Sequence, residues 1–351
     1  MNREISRSHL AKSVGLALIL LPAVLTAQWY RETSNTAERL RAVSAVNDSI
    51  AWASGNHGTC LRTTDCGKTW LPVKIPGADS LDFRDIEAFS EQRAFVLSIG
   101  PGEKSRIYRT TDGGAVWKLQ YVAQDPRVFL DEFAFWDGEH GIAVGDEIEG
   151  HLFLLHTIDG GEHWTRIPPA KIPQALPGEG AFAASGSGIT VDGDRIVWIG
   201  TGVKTARVLR SVDGGETWTV ATTPIWHETE SSGIFSVAFY DSQTGIVVGG
   251  DYKQENSPTR NVARTIDGGR TWSVPEANPP SGFRSGVIYL TKEYVIAVGP
   301  SGSDYSTDGG KKWIPIDMIG YHAISRARDG KSIWAVGERG RIGHFVDLLV
   351  R

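Results

Sequence analysis

Thr63-Thr-Asp65-Cys-Gly67-Lys-Thr-Trp70 is the first of six copies of one short phrase. It returns as Thr110-Thr-Asp112-Gly-Gly114-Ala-Val-Trp117, Thr157-Ile-Asp159-Gly-Gly161-Glu-His-Trp164 and Ser211-Val-Asp213-Gly-Gly215-Glu-Thr-Trp218. Thr265-Ile-Asp267-Gly-Gly269-Arg-Thr-Trp272 and Ser306-Thr-Asp308-Gly-Gly310-Lys-Lys-Trp313 complete the set. The shared grammar is Ser/Thr-x-Asp-x-Gly-x-x-Trp. Glycine reaches a positive φ without steric cost, and an Asp carboxylate accepts hydrogen bonds from the backbone of its own turn. Strand-like runs flank each copy, so each reads as a β-hairpin corner followed by a Trp that buries its ring between sheets. Catalysis does not need the same Asp six times, whereas six turns do. Asp65, Asp112, Asp159, Asp213, Asp267 and Asp308 are therefore structural.

Successive box aspartates, from Asp65 to Asp308, are 47, 47, 54, 54 and 41 residues apart, the length of a four-stranded propeller blade with variable loops. A second signal, an apolar run ending in Gly, recurs seven times. Ile50 to Gly55, Ala94 to Gly100, Gly141 to Gly145 and Ile196 to Gly200 are the first four; Gly245 to Gly249, Tyr294 to Gly299 and Ile333 to Gly337 follow. Seven runs against six boxes leave the last unit, Tyr321 to Val346, without a box. Gln28-Trp29-Tyr30 looks like the strand that follows each box, so it completes the C-terminal blade and closes the ring. The expected fold is all-β, a seven-bladed propeller over residues 28–351.

The segment before Gln28 differs. Arg3, Arg7 and Lys12 precede an apolar stretch from Ser13 to Leu25, with small residues at Thr26-Ala27. This pattern predicts a secretory signal peptide over residues 1–27, cleaved after Ala27, and a periplasmic or secreted, non-spanning product. The chain carries a net charge of −5, and −7 without that segment, which argues against nucleic acid as a partner. About 320 residues exceed a single hydrophobic core, and a ring of small sheets resolves this because each sheet packs only on its neighbours. Cys60 and Cys66 flank the strand entering the first box. An exported pair favours a disulfide, and the short spacing along a strand opposes it. No cofactor or metal signature is present.

In such a blade the boxes lie on one face of the disc, and loops between blades and between second and third strands lie on the other. Non-repeated chemistry collects in that second set: Arg84, Asp85, Glu87, Glu179, Asp251, Tyr252, Arg284, Ser301, Asp304, Tyr305 and His322. These residues are expected at the mouth of the central channel, holding a protein segment or a small-molecule ligand. The stretch Leu176 to Gly188 stands apart by its length and glycine content, as functional loops often do. The bland alternative has these charges pairing with one another around a water-filled funnel.

The boxes resemble the Asp box, or bacterial neuraminidase repeat, shared by sialidases, sortilin-type receptors and the photosystem II stability and assembly factors. Boxes of the form Thr-x-Asp-Gly-Gly-x-x-Trp and strands such as Gly141-Ile-Ala-Val-Gly145 and Ile333-Trp-Ala-Val-Gly337 are most similar to the last group. That resemblance implies an exported, non-catalytic binding or scaffold propeller that contacts a subunit of a membrane complex. It transfers no site residue. The alternative is a sialidase-type glycosidase, with Arg84, Arg284 and Asp85 in its site, Tyr252 or Tyr305 as nucleophile and Glu179 as its partner. The Phe-Arg-Ile-Pro element of those enzymes is replaced by Phe83-Arg84-Asp85-Ile86.

Overall fold

The computed structural model describes residues 28–275 and 277–346, with the backbone alone at 346; the signal-peptide segment 1–27 lies outside them. The described residues form seven antiparallel sheets. Blade 1 is Leu40–Ala45, Ala51–Gly55, Cys60–Thr63 and Leu71–Pro72, and blade 2 is Asp82–Ala88, Ala94–Ile99, Arg106–Thr110 and Lys118–Val122. Blade 3 is Leu130–Phe135, Gly141–Ile148, His151–Thr157 and Thr165–Arg166; blade 4 is Ile189–Asp192, Ile196–Gly200, Arg207–Ser211 and Thr219–Thr222. Blade 5 has three strands, Ser232–Phe239, Gly245–Asp251 and Val262–Thr265. Its fourth position shrinks to a bridge between Arg264 and Ser273, because Pro275 cannot donate to a ladder. Blade 6 is Gly286–Tyr289, Val295–Gly299, Gly302–Ser306 and Ile314–Asp317.

Blade 7 joins the chain ends. Ala323–Arg326, Ile333–Val336 and Ile342–Val346 are completed by Gln28–Glu32, with Trp29 opposite Phe345. The Trp29 ring lies 4.9 Å from Tyr321 and 5.0 Å from Phe345, and its Nε1 donates to Ser303 Oγ at 2.9 Å. The closure expected from the sequence is the one observed.

All six boxes adopt one geometry. The Ser/Thr hydroxyl donates to the box Asp at 2.7–2.9 Å. The same oxygen accepts the second glycine's N–H at 2.8–3.0 Å. The Asp also accepts the backbone N–H four residues on, at 2.9–3.0 Å. The first glycine position has positive φ throughout, including Cys66 at 63°. In three boxes the second glycine seats an aromatic ring from the preceding blade: a Cβ would strike Trp334 at Gly67 and Phe95 at Gly161 and would press on Trp198 at Gly269. In the other three, Val73, Ile167 and Ile246 lie against Gly114, Gly215 and Gly310. The glycine ending the second strand has another cause. A Cβ at Gly55, Gly145, Gly249 or Gly299 would lie 2.0–2.3 Å from a carbonyl oxygen at the start of the innermost strand.

The core is divided in the same way. Seven apolar clusters each join two neighbouring blades; one, for example, unites Trp52 and Cys60 of blade 1 with Ile86 and Val96 of blade 2. An eighth, of Phe182, Ala184, Phe235 and Phe283, sits inside the ring. Both cysteines are free: Cys60 is buried in the first of these clusters and Cys66 is exposed. No described helix is long and apolar enough to cross a membrane.

Candidate functional site

Residues 181–188 do not start the innermost strand of blade 4, as their position suggests; that strand begins at Ile189. They form a strap across the channel. Phe182, Ala183 and Ala184 line a cavity of about 470 Å³ on the box-free side. Ser185, Gly186 and Ser187 line a second cavity, also about 470 Å³, whose other walls are the far ends of the innermost strands. The strap therefore divides the channel in two.

The box-free cavity has two chemically distinct walls. On one, Phe182 stacks on Phe235 at 4.0 Å and 10°, Phe283 meets Phe235 edge-on at 4.6 Å, and the half-exposed Tyr252 lies edge-on to the pair. On the other stand Arg39, Arg41, Arg84 and Arg341, with His322 and Glu338, while Glu255 lies beside the aromatic wall, its carbonyl accepting the Phe283 amide. Glu338 pairs with Arg39 and lies 2.9 Å from His322 Nε2. Arg84 pairs with Asp82 at 2.6 Å. Burial, then the nearby charges of Arg84 and Arg39, lowers Arg41 to about 9, so it stays cationic at neutral pH. Burial followed by the charge of Arg41 lowers His322 to about 3, leaving a neutral imidazole. Like-charged guanidinium groups crowded beside an aromatic wall favour an arriving group that joins an acidic moiety to an apolar one.

Backbone irregularity aims these side chains. Register breaks in the innermost strands fall between Leu40 and Ala42, Phe83 and Asp85, Leu130 and Glu132, and Ile234 and Ser236. The residues spanned by the breaks are Arg41, Arg84, Asp131 and Phe235. A bulge re-aims one side chain without ending the strand, and three of these four reach the cavity.

Of the residues expected at the mouth, Arg84, Tyr252 and His322 line the cavity. The others do not. Arg284 and Asp304 are a fully buried ion pair, reinforced by Ser301 and Ser281 hydroxyls bonded to the guanidinium. Ser301 in turn donates to the Glu255 carbonyl at 2.8 Å. Asp251 is tied to the Lys253 amide and the Thr229 hydroxyl of its own loops. Tyr305 packs between blades, 5.8 Å from Tyr294. Glu87 lines the box-side cavity, beyond the strap, and pairs with Arg328. Asp85 is buried and accepts amides from Ile86 and Phe133.

Glu179 changes role most. Its side chain is fully buried and bonded to Arg207, the Thr201 hydroxyl at 2.7 Å and the Leu176 amide at 2.8 Å. It anchors the strap's approach and is no partner for Tyr252 or Tyr305. The glycosidase arrangement of Glu179, Arg84, Arg284 and a tyrosine is therefore not assembled. Among the described residues no acidic, His or Cys cluster suits a metal ion.

Sequence reasoning missed Arg39, Arg341 and the Phe182, Phe235, Phe283 wall. A signal was present: in blades 4, 5 and 6 a Phe stands shortly before or at the start of the innermost strand.

Fold and site together define a closed seven-bladed Asp-box propeller with a plugged channel and one cationic-aromatic cavity opposite the boxes. In sequence the chain is similar to photosystem II stability/assembly factors. It is 25% identical over 287 residues, 78% of each chain, to the photosystem II assembly lipoprotein Ycf48 of Synechococcus sp. (strain CC9902). It is 26% identical over 151 residues to the chloroplastic stability/assembly factor HCF136 of Arabidopsis thaliana, covering 41% of this chain and 34% of that protein. A Paenibacillus xyloglucanase matches at 26% over 215 residues, 51% of this chain but only 20% of the enzyme. A solved structure of YCF48 bound to a D1 peptide superposes with a TM-score of 0.62 at 16% identity, covering 92% of this chain and 96% of that one. No family model matches the chain.

Proposed function

We propose that this propeller is a non-enzymatic, exported scaffold that holds an extended protein segment in its box-free cavity. The observation that carries the reading is the pairing of an arginine-lined wall with a Phe182–Phe235–Phe283–Tyr252 wall in one concave site. A segment with an apolar side chain next to a carboxylate fits both walls at once. The similarity to assembly factors, and to a relative solved with a bound peptide, supports the same class of ligand. Export follows from the signal-like residues 1–27, and a subunit of a membrane complex is the kind of partner the similarity suggests.

The test is fluorescence anisotropy against an array of labelled peptides that vary acidic and aromatic content independently. Peptides with both features are expected to bind. Arg39→Ala with Arg341→Ala, and separately Phe235→Leu, should each weaken binding about tenfold or more, the loss of one charge-assisted bond or one apolar contact. Ile158→Ala, on an exposed box, should leave it unchanged. Equal affinity of all variants for every bound peptide contradicts the site.

A further inference from the structure

The strap is held in an unusual way. Its amides are bonded to three carboxyl groups of the channel wall: Ala181 to Asp146, Ala183 to Asp131, and Ser185 and Gly188, with the adjoining Ile189, to Glu132. Gly186 sits directly against Asp85, where a Cβ would come within 2.2 Å of the carboxyl oxygen. Among the described residues none of the four carboxyls has an ion-pair partner. One oxygen each of Asp131 and Glu132 is buried with no hydrogen-bond donor at all. Four anions so placed would be severely underpaired, whereas neutral carboxyls are tolerated there.

We propose that residues 181–188 are a releasable strap, locked across the channel while the Asp85, Asp131, Glu132 and Asp146 carboxyls carry protons, and freed as they ionise. The groups facing it from each packed element are few. Blade 1 contributes Arg41, bonded to the Ala184 carbonyl at 2.9 Å, and blade 2 contributes Arg84, bonded to the Ala183 carbonyl at 2.9 Å, beside Asp82 and Asp85. Blade 3 contributes Asp131, Glu132, Asp146 and, next to it, Glu147. Blade 5 presents the Ser236 hydroxyl, which bonds Ser187 at 2.8 Å, and blade 7 presents the neutral His322 across the cavity. Beyond the strap, on the box side, lie Glu87, Asp192, Arg326 and Arg328. Both cations that touch the strap bind its carbonyls, leaving the carboxyls uncompensated.

Burial raises Asp85 to about 7, and burial with the Asp85 charge raises Glu132 to about 8. Burial, then the charges of Asp146 and Glu132, pushes Asp131 well above its usual range. In a released strap these groups regain water and titrate near 4. Closure is therefore fully supported below about pH 4 and loses that support as pH climbs through 7 to 8. Each pH unit between the released value near 4 and the closed-state value lowers the closed-to-open ratio about tenfold per group, and the ratio levels off above the closed-state value. Because Phe182 to Ala184 are part of the cavity, release also dismantles the proposed peptide site. That consequence rests on the functional reading; the strap motion itself does not.

Pulsed amide hydrogen exchange on the ligand-free protein, corrected for intrinsic rates, tests it. Protection of the Ala181, Ala183, Ser185 and Gly188 amides should fall at least tenfold between pH 6 and pH 9, while the Val247 and Ala297 amides keep theirs. In Asp85→Asn with Glu132→Gln, which removes two of the four titrating carboxyls, the fall in strap protection between pH 6 and pH 9 should be clearly smaller than in wild type. Wild-type protection that is flat from pH 6 to pH 9 overturns the proposal whether or not the variant folds. Equal loss in wild type and variant overturns it too. Peptide binding that fails at the cavity while strap protection follows pH sinks only the ligand reading.

Discussion

Replacing Glu179 separates a structural anchor from a catalytic acid by magnitude alone. Its carboxylate is fully buried, and the paired Arg207 side chain is only 14% exposed. Glu179→Ala strands that guanidinium and also removes the acceptor for the Thr201 hydroxyl and the Leu176 amide. Breaking a buried pair from one side costs about 3–5 kcal/mol, most of it the penalty of the charge left behind. Glu179→Gln keeps the volume and one carbonyl acceptor, so about 1–3 kcal/mol is expected, the cost of a lost charge-assisted bond. With a urea slope of about 3 kcal/mol/M, the alanine variant's midpoint should fall by about 1 M or more, followed by tryptophan fluorescence. Glycan turnover should be absent in wild type and both variants. A midpoint shift below about 0.3 M in the alanine variant refutes the anchor. Turnover by wild type that disappears in a fully stable glutamine variant would return Glu179 to catalysis.

Two further substitutions probe the frame. Cys66 occupies a position where the other five boxes have glycine, at φ 63°; Cys66→Gly should stabilise by about 1 kcal/mol, read as a higher urea midpoint at constant slope. A lower midpoint would mean that the sulfur contact to Ser49 matters more than the backbone. Trp29→Ala empties the seam that closes the ring and should cost about 3–5 kcal/mol. An unchanged midpoint would show that blade 7 does not need the N-terminal strand.

Sequence and structure agree where a local rule repeats. Six boxes, seven glycine-terminated strands and one orphan Trp29 strand fix blade count and closure, because turn chemistry and backbone approach act within a few residues. The face of the site followed from strand direction. Its membership did not. Arg84 reaches the cavity through a register break that no composition reveals, while Arg284, equally exposed in a linear reading, turns inward to Asp304. The stretch around Glu179 stands out in the sequence by length and glycine content, and in the structure Glu179 itself is buried while Phe182 to Ser187 line the two channel cavities. Long-range pairing of buried charges is set by the closed ring, and a single strand's sequence does not carry it.

The most direct test of the account is a crystal structure of the propeller with its tightest-binding array peptide. The peptide should lie in the box-free cavity, an apolar side chain on Phe235 and a carboxylate within hydrogen-bonding distance of Arg39 or Arg341. A peptide seated on the box face or along a blade's outer edge, with the cavity filled only by water, would contradict it.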